Sequence, residues 1–478
     1  MVFSSLLFLL VFLPVFLGIY YASPRSWRNA VAVAGSLLFY AWGAPRFIVA
    51  LLGSCLVDYV CTRKMGSDPQ RTRARIVLAI AFNVSVLVFF KYSNFMVQQC
   101  NGLLGSISSG GVIPWKTIAL PIGISFFTFQ KISYLVDVRR ERMEPARTFL
   151  DYLLYVCLFP QLIAGPIVRY HDVARQITSR VHSTLLVSDG FRRFVIGLAK
   201  KVLIANHVGL IADATFNGSP SHLSCGQAWI GVIAYSFQIY FDFSGYSDMA
   251  IGLGRLMGFR FLENFNRPYL AIGFTDFWRR WHISLSNWMR EYLYLPLGGN
   301  RVSHFVQIRN LWIVFLVSGL WHGASWNFVA WGAYHGLFLS LEKGRRVQSL
   351  LTVLPAWVRR SVTFLLISIG WCFFRAGTFE GALAMISRLF TLGPATAAIV
   401  PIRSLAYLLS PRIAVALLVA AILSFWPESG RSHRKVVPGS GVWTVDHLFS
   451  AAGTIVLLLA CVGALTVQDF NPFIYFRF

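Results

Sequence analysis

The sequence predicts an all-α, polytopic integral membrane protein, and three observations support this fold class. Of its 478 residues, 56% are hydrophobic and only 13% are charged, and the mean hydropathy is +0.60. The apolar residues form many runs long enough to cross a hydrocarbon core about 30 Å thick. The net charge of +24 is concentrated in short loops between these runs, which is the bias of cytoplasmic loops. We therefore expect the basic residues to lie beside a lipid bilayer, and we expect no nucleic-acid partner.

The first quarter of the chain alternates apolar runs with basic or uncharged connections. Residues Val2 to Tyr21 precede the first basic residue, Arg25, so this run is predicted to be a retained span with its N-terminus in the periplasm. The basic residues between 63 and 75 predict a cytoplasmic loop. Ile76 to Val97 then spans outward, and Gln98 to Trp115, which carries no charge, is predicted to be a periplasmic connection.

Two stretches carry proline within apolar sequence and predict irregular segments inside the membrane. They run from Pro121 to Gln130, within the span Ile118 to Val136, and from Leu158 to Pro166. Proline interrupts a helix and frees backbone groups, which is tolerated at membrane depth where a segment lines a cavity rather than faces lipid. We therefore expect both stretches to line a cavity.

Two further spans, Gly190 to Asp213 and Gln227 to Met257, carry charged residues at membrane depth. In the second span, Gln238 and Asp242 are four residues apart and share one helix face. Asp242 and Asp248 could suggest an acid–base pair, but six residues of continuous helix turn them away from each other. We predict instead that the carboxylates accept hydrogen bonds from Tyr and Ser hydroxyls, and that Gln238 and Asp242 support a wall of the site.

The segment from Thr275 to Tyr292 combines aromatic and charged residues. Its apolar positions recur at three- and four-residue steps, and they are Trp278, Trp281, Leu285, Trp288 and Tyr292. This spacing predicts one continuous helix that lies in the interface or enters from one side, with His282 one turn from Trp278. An interfacial tryptophan anchor is the alternative interpretation.

A long apolar run from Leu311 to Leu341 places His322 near its centre. A titratable side chain at this depth is costly and usually faces a cavity, where it has a chemical role. A histidine that only hydrogen-bonds to a neighbouring helix is the alternative. His335 lies thirteen residues further on, or roughly 220° around a continuous helix at about 100° per residue, so we do not expect it in the same site.

The last quarter of the chain continues the alternation. Phe364 to Phe374, Ile413 to Trp426 and Trp443 to Val467 are predicted spans, and Pro394 to Pro411 is predicted to be a loop. A basic patch at 431–435 belongs inside, so both termini are predicted to be periplasmic and the crossings to number about twelve. The seven cysteines are scattered without metal-ligand spacing, so we expect them to pack in the core and we expect no metal site.

Two motifs around the histidines resemble those of a known family. They read Phe277-Trp-Arg-Arg-Trp-His282-Ile-Ser-Leu-Ser and Ser318-Gly-Leu-Trp-His322-Gly-Ala-Ser-Trp. Both resemble the histidine motifs of the membrane-bound O-acyltransferase (MBOAT) family, and more narrowly those of its bacterial branch typified by the alginate O-acetyltransferase membrane subunit. The resemblance implies that His322 is the intramembrane catalytic histidine and that His282 is its catalytic partner.

The resemblance also implies an architecture. One domain, 1–478, would arrange transmembrane, re-entrant and interfacial helices around a central cavity or tunnel. Its N-terminal spans would occupy 1–270, the catalytic histidine core 271–345, and the C-terminal spans and aromatic tail 346–478.

The same resemblance implies a reaction and its participants. The chain would move an acyl group, most simply acetyl, from a cytoplasmic thioester such as acetyl-CoA, which is a substrate rather than a permanently bound cofactor. The final acceptor would be an exopolysaccharide, with alginate the prototype, and a periplasmic serine-hydrolase-like acetyltransferase would complete the transfer at the bacterial inner membrane. Candidates for the donor channel are Trp278, Arg280, Asn287 and Trp321.

The chain ends in an aromatic stretch, Asn471 to Phe478. Composition alone favours an interfacial aromatic anchor. Bacterial relatives often end in a similar stretch, and the resemblance implies that Tyr475 could receive the acyl group before a partner takes it. A phenol needs an adjacent base for this role, and His322 is the candidate.

Two other function classes also fit the composition. A transporter or polymer-export channel could pass protons through His282, His322 and Asp242, although transporters usually show paired halves and none is visible in this sequence. A scaffold that only gathers periplasmic enzymes is the third possibility.

Overall fold

The computed structural model describes residues 1–63, 69–107, 112–392, 410–426, 445–467 and 473–474, and every regular element within these ranges is helical. The first half contains α1 (Leu13–Ala22), α2 (Arg28–Gly43), α3 (Ile48–Arg63), α4 (Pro69–Ile107), α5 (Ile124–Arg139), α6 (Phe149–Cys157), α7 (Phe159–Leu162), α8 (Tyr170–Thr178), α9 (Thr184–Ala199) and α10 (Asn206–Phe216). The second half contains α11 (Cys225–Leu256), α12 (Phe274–Arg280), α13 (Ile283–Met289), α14 (His304–His322), α15 (Trp326–Glu342), α16 (Arg345–Val353), α17 (Ala356–Arg375), α18 (Phe379–Phe390), α19 (Pro411–Phe425) and α20 (Val445–Val467). The predicted all-α class is confirmed.

Several of these helices are long and apolar enough to cross a bilayer. They are Pro45–Arg63, Gln70–Ile107, Thr184–Phe216 and Ala356–Arg375, with shorter apolar helices at Phe8–Ala22, Pro411–Phe425 and Ala451–Val467. A π-helical segment, Lys200–Ala205, joins α9 to α10 into one rod. These elements identify a multi-pass membrane protein, and the count of about twelve crossings stays a prediction.

Helix α11 forms the centre of the fold, and it is buried without interruption from Ala234 to Gly254. It packs along α9 because glycines let the two backbones approach. A Cβ added to Gly197 of α9 would lie 2.5 Å from the carbonyl oxygen of Gly245, too close to be accommodated without movement. Small residues at helix crossings are the usual means of close packing in membranes.

The proline-containing stretches break the helices, as predicted. Helix α5 begins only after Gly123, which has φ of 77°, and Leu158 separates α6 from α7. The predicted connection from Gln98 to Trp115 is wrong in its first half, because α4 continues to Ile107. Asn101, within this last part of α4, pairs through its side-chain amide with the backbone of Ile113, at 2.7 and 3.1 Å, and so the returning chain packs against the helix.

Some predictions concern residues that the structure does not describe. The loop predicted from Pro394 to Pro411 lies almost entirely outside the described residues, and so does the basic patch at 431–435. Tyr475 also lies outside them, although the two residues before it, Phe473 and Ile474, are described.

Candidate active site

His322 is the last residue of α14, at the tip of a hairpin that α14 forms with α15. The predicted single run from Leu311 to Leu341 is therefore two helices, separated by the turn 323–325. Two glycines allow the pair to pack tightly, since a Cβ on Gly319 would collide with the Phe328 carbonyl and one on Gly332 with the Phe315 carbonyl. The hairpin places a helix end, with its histidine, inside the protein.

The carbonyl groups of the last turn of α14 have no partner within that helix, and α4 supplies donors for two of them. The Tyr92 hydroxyl donates to the Leu320 carbonyl over 2.6 Å, and the Lys91 amino group donates to the Trp321 carbonyl. These two contacts hold the turn that carries His322 against α4.

The His322 side chain lies among aromatic rings and is only 4% exposed. Its ring centroid lies 4.8 Å from that of Trp321, 5.0 Å from that of Trp331 and 5.2 Å from that of Phe374, each ring meeting it edge to face. Burial in such an apolar environment favours the neutral form of an imidazole. This is the form that a general base requires.

His282 lies at a break between two short helices, which corrects the prediction of one continuous helix from Thr275 to Tyr292. Helix α12 ends at Arg280 and α13 begins at Ile283, with His282 between them in the left-handed region at φ of 43°. The reason lies in an upstream segment of the chain: the Ile283 N–H donates to the Asn264 carbonyl over 2.9 Å, so it is not available for a helical bond. The direction of the His282 side chain is therefore set by the break between α12 and α13 and not by one continuous helix.

Asn264 fixes the orientation of His282. Its Oδ1 lies 3.1 Å from His282 Nδ1 and accepts from the Ser284 hydroxyl over 2.8 Å, while its Nδ2 donates to the Ser247 hydroxyl over 3.0 Å. Because a carbonyl oxygen only accepts, Nδ1 of His282 carries the proton in this contact and Nε2 is the basic nitrogen. His282 is fully buried.

The two histidines share an aromatic neighbour. The Trp321 ring centroid lies 6.1 Å from that of His282 and 4.8 Å from that of His322. The pair predicted from the sequence motifs therefore meets at one site in the folded protein.

Helix α12 is tied to the hairpin at its N-terminus. The Glu342 carboxylate, at the end of α15, accepts from the Thr275 N–H over 2.9 Å and from the Thr275 hydroxyl over 2.7 Å, and also from the Phe274 N–H. A carboxylate satisfies the unpaired N–H groups of a first helical turn and complements its dipole. This contact fixes the spacing between the His282 break and α15.

A cavity of about 510 Å³ lies beside this core and has a basic lining. Trp278 and Asn287, two of the predicted donor-channel residues, line it. Its basic residues are Arg279, Arg290 and Lys343. Ser318 also lines it and lies one helical turn before His322 on α14, so the cavity reaches the helix that carries the histidine.

The other two predicted donor-channel residues do not line this cavity. Arg280 instead forms an ion pair with Asp276, at 2.8 Å. Trp321 instead lines a second, smaller cavity of about 110 Å³, together with His322, Lys91 and Ser125. His322 therefore borders the small cavity and lies one helical turn from Ser318, which lines the large basic cavity.

Asp242 is held by a cation rather than by hydroxyl groups, which corrects the prediction made for the α11 carboxylates. It forms an ion pair with Lys201 of the π-helical segment, and its Oδ2 accepts from the backbone N–H of Ile474 over 2.9 Å. Asp248 likewise pairs with Arg193 and Lys200, both at 2.6 Å. The two carboxylates have separate partners, as their helical spacing predicted.

Two further contacts of α11 involve Gln238 and Phe473. Gln238 packs against Gly209 of α10, where a Cβ would meet its side-chain amide. The Phe473 ring stacks on that of Tyr246 at 4.6 Å and lies 6.0 Å from that of Phe243. The Phe243 ring meets the edge of His282 at 4.7 Å, so the described end of the tail lies one ring away from a site histidine.

His335 lies closer to the site than its spacing suggested. The predicted angle between the two histidines assumes one continuous helix, but His335 belongs to α15 and His322 to α14. Both rings contact Trp331, at 4.7 and 5.0 Å, and Trp278 Nε1 donates to His335 Nδ1 over 3.2 Å. We interpret His335 as the acceptor that positions Trp278.

Sequence reasoning missed Asn264, Lys91 and Tyr92. Lys91 could have been found, because it is an isolated lysine within a long apolar run, the pattern that marks functional sites in membranes. Asn264 has no such signal, since it lies in a polar loop and acquires its role only by contact with His282.

Comparison with known proteins identifies the class of this site. The model of the membrane-bound O-acyltransferase family matches residues 83–374, which include both histidines. The chain is 40% identical to the probable alginate O-acetylase AlgI of Azotobacter vinelandii over the full length of both proteins. It is 45% identical to the probable alginate O-acetylase AlgI of Pseudomonas aeruginosa, covering 82% of this chain and 75% of that one. It is also 38% identical to the peptidoglycan O-acetyltransferase of Helicobacter pylori, covering 81% of this chain and 79% of that one.

These similarities extend well beyond the two histidine motifs, and they agree with the all-helical fold and with the buried histidine pair. The chain belongs to the membrane-bound O-acyltransferase family, and it is an acyltransferase.

Proposed function

We propose that this acyltransferase moves an acetyl group from a cytoplasmic thioester, acetyl-CoA, through the membrane for O-acetylation of an exopolysaccharide such as alginate. The observation that carries the proposal is the position of His322, which borders the small cavity and lies one turn from the large basic one. Arg279, Arg290 and Lys343 suit the phosphates of coenzyme A, because guanidinium and ammonium groups bind phosphate through charge-assisted hydrogen bonds.

In the proposed reaction, His322 acts as general base and takes the proton of an acceptor hydroxyl. The hydroxyl oxygen attacks the thioester carbonyl, the new C–O bond forms, and the C–S bond breaks. The thiolate leaves and recovers the proton from the imidazolium, so the products are an ester and a free thiol. A positioned base contributes about 10²–10⁴-fold to such a reaction. His282, oriented by Asn264, directs its Nε2 toward the donor or supports His322.

The acceptor hydroxyl in this proposal is that of Tyr475. The support comes from the residues just before it: the Ile474 N–H is bonded to Asp242, and Phe473 stacks on Tyr246. These contacts hold Phe473 and Ile474 inside the protein, and both residues are buried. A periplasmic partner of the serine-hydrolase-like type would then take the acetyl group from the tyrosyl ester.

The polymer is proposed from the relatives. Two similar proteins are named alginate O-acetylases and one is named a peptidoglycan O-acetyltransferase, and all three names describe acetylation of an envelope or extracellular glycan. A relative that matches over its full length carries an alginate name, so alginate or a related exopolysaccharide is the proposed final acceptor.

We further propose an orientation in the bacterial inner membrane with both termini in the periplasm and about twelve crossings. Basic residues at the start of α4 and of α17 favour the cytoplasm for those ends. Because Lys343 follows α15 directly and precedes the basic start of α17, we propose that the larger cavity opens toward the cytoplasmic side, where acetyl-CoA is available. Cysteine labelling from either side of sealed vesicles tests this arrangement.

The decisive experiment uses the purified protein and acetyl-CoA labelled in the acetyl group. The proposal expects thiol release and label on the protein, both lost in His322→Ala, with the variant inserted normally in the membrane. An active His322→Ala variant, or a wild type that neither releases thiol nor acquires label, contradicts it. Membership of an acyltransferase family favours this enzyme over the transporter, channel and scaffold alternatives.

A further inference from the structure

Lys91 on α4 is a buried lysine that takes no part in the proposed reaction. Among the described residues, it is the only buried lysine without an acidic partner. It is 7% exposed. The other deeply buried lysines are neutralised, Lys131 by Asp58 at 3.3 Å and Lys201 by Asp242. A buried ammonium without a carboxylate is costly in a membrane and marks a functional position.

Part of the role of Lys91 is to cap α14. It donates to the Trp321 carbonyl and to the Ser125 hydroxyl over 3.0 Å, and its Nζ lies 5.9 Å from the centre of the Trp321 ring. A cation at a helix C-terminus satisfies free carbonyls and complements the helix dipole. The neighbouring Tyr92 caps the same turn through the Leu320 carbonyl without a charge, so capping alone does not require lysine at position 91.

The second observation is the small cavity. Lys91, Ser125, Trp321 and His322 all line this space of about 110 Å³, and Tyr92 does not. An ammonium has three N–H donors, of which the Ser125 and Trp321 oxygens accept two. A space of this size accommodates an acetyl group.

We propose that Lys91 is a further catalytic residue, whose remaining N–H donates to the carbonyl oxygen of the acyl group as the acceptor hydroxyl attacks beside His322. This inference rests on the acyl transfer proposed above. When the C–O bond forms, the carbonyl electron pair moves onto that oxygen, and the ammonium stabilises the negative charge. Lys91 gives up no proton: the oxyanion collapses, the C–S bond breaks, and the thiolate is protonated from His322. A preorganised donor of this kind typically contributes about 10²–10³-fold to the rate.

The test compares Lys91→Met with Tyr92→Phe in the full-length protein. Both variants remove one cap from the last turn of α14, but only the first removes a group from the cavity. Thiol release is measured against acetyl-CoA concentration, together with the thermal midpoint in detergent. We expect Lys91→Met to lower kcat about 10²–10³-fold with KM for acetyl-CoA nearly unchanged. Tyr92→Phe should lower kcat no more than about fivefold, the effect of one lost hydrogen bond.

A second variant covers the possibility that Lys91→Met does not fold. Lys91→Gln keeps an amide N–H for the Trp321 carbonyl and removes the charge, and it should still lose at least about tenfold in kcat. Equal kcat values in Lys91→Gln and Tyr92→Phe overturn the inference and leave Lys91 a helix cap. If the wild type is active and His322→Ala is inactive, equal kcat values refute only the role of Lys91 and leave the proposed acyl transfer intact. A wild type without thioester-dependent activity contradicts the proposed function instead.

Discussion

The backbone N–H of Ile474 donates a hydrogen bond of 2.9 Å to the carboxylate of Asp242, a residue 232 positions earlier in the chain. This contact joins the last described residue of the tail to the central helix α11, and Lys201 neutralises the same carboxylate. A backbone donor has no sequence requirement of its own, so this contact fixes Ile474 beside α11 whatever its side chain. The proposed chemistry is that of the next residue, Tyr475.

Tyr475→Phe tests that chemistry. The substitution keeps the aromatic ring and removes only the hydroxyl, so we expect label on the protein to disappear and polymer acetylation to fall at least about 100-fold, as for loss of a nucleophile. Acid-stable label in peptides from the C-terminus is the measurement. Tyr59→Phe on α3, outside both cavities, is the matched control and should label normally. Full activity in Tyr475→Phe would dispose of the tyrosyl ester.

A comparison of His322→Gln with His335→Gln tests whether His322 acts as a base or only packs among aromatic rings. Both histidines contact Trp331, but only His322 lines the small cavity. We expect His322→Gln to lower kcat about 10²–10⁴-fold, the contribution of a general base. His335→Gln retains an acceptor for Trp278 and should stay within about tenfold of wild type. Equal losses in the two variants would mean that His322 acts through packing.

Asn264→Ala tests the orientation of His282. The variant removes the acceptor of the Nδ1 proton, a buried hydrogen bond whose loss costs about 1–3 kcal/mol. If the transition state bears that cost, kcat should fall roughly fivefold to 150-fold. Ser247→Ala removes only the hydroxyl that accepts from the other side of the Asn264 amide, and it should have a smaller effect. A kcat for Asn264→Ala equal to that of wild type would show that His282 needs no fixed orientation.

The basic lining of the larger cavity predicts a pattern in KM. Arg279→Gln, Arg290→Gln and Lys343→Gln should each raise KM for acetyl-CoA with kcat unchanged, because in the proposed complex these groups bind the nucleotide far from the reacting carbon. Higher salt should raise the wild-type KM in the same direction through screening. Arg280→Gln is the control, since Arg280 pairs with Asp276 outside the cavity. An effect of Arg280→Gln as large as the others would place the donor elsewhere.

The contact between His171 and Asp137 predicts a pH dependence of stability. His171 lies on α8, outside the candidate spans, and its hydrogen bond of 2.7 Å to Asp137 raises the pKa of His171 above the ordinary value. The charged pair therefore contributes its full stabilisation below about pH 6.5, and this contribution is lost as the pH rises through the raised pKa of the folded protein. We expect the thermal midpoint in detergent to fall over that range, and His171→Gln to flatten the fall. An unchanged profile in the variant would contradict the assignment.

The sequence by itself determined the fold class and picked out the two histidines of the candidate site. Runs of apolar residues decide which segments are helices in a membrane, because every backbone group there must be bonded within its own segment. This information is local, and so are the motifs around His282 and His322. The breaks at the proline stretches were visible for the same reason.

The tertiary structure alone decided how these pieces act together. The aromatic spacing from Thr275 to Tyr292 predicts one helix, but the backbone of Asn264 binds the Ile283 N–H and produces the break that orients His282. The ion pair between Lys201 and Asp242, and the capping of α14 by Lys91, likewise join residues distant in the chain. Such contacts replace local hydrogen bonds or neutralise buried charges across helices. The energies of these contacts depend on which segments meet in the folded protein. The residue pattern within a single segment does not specify this.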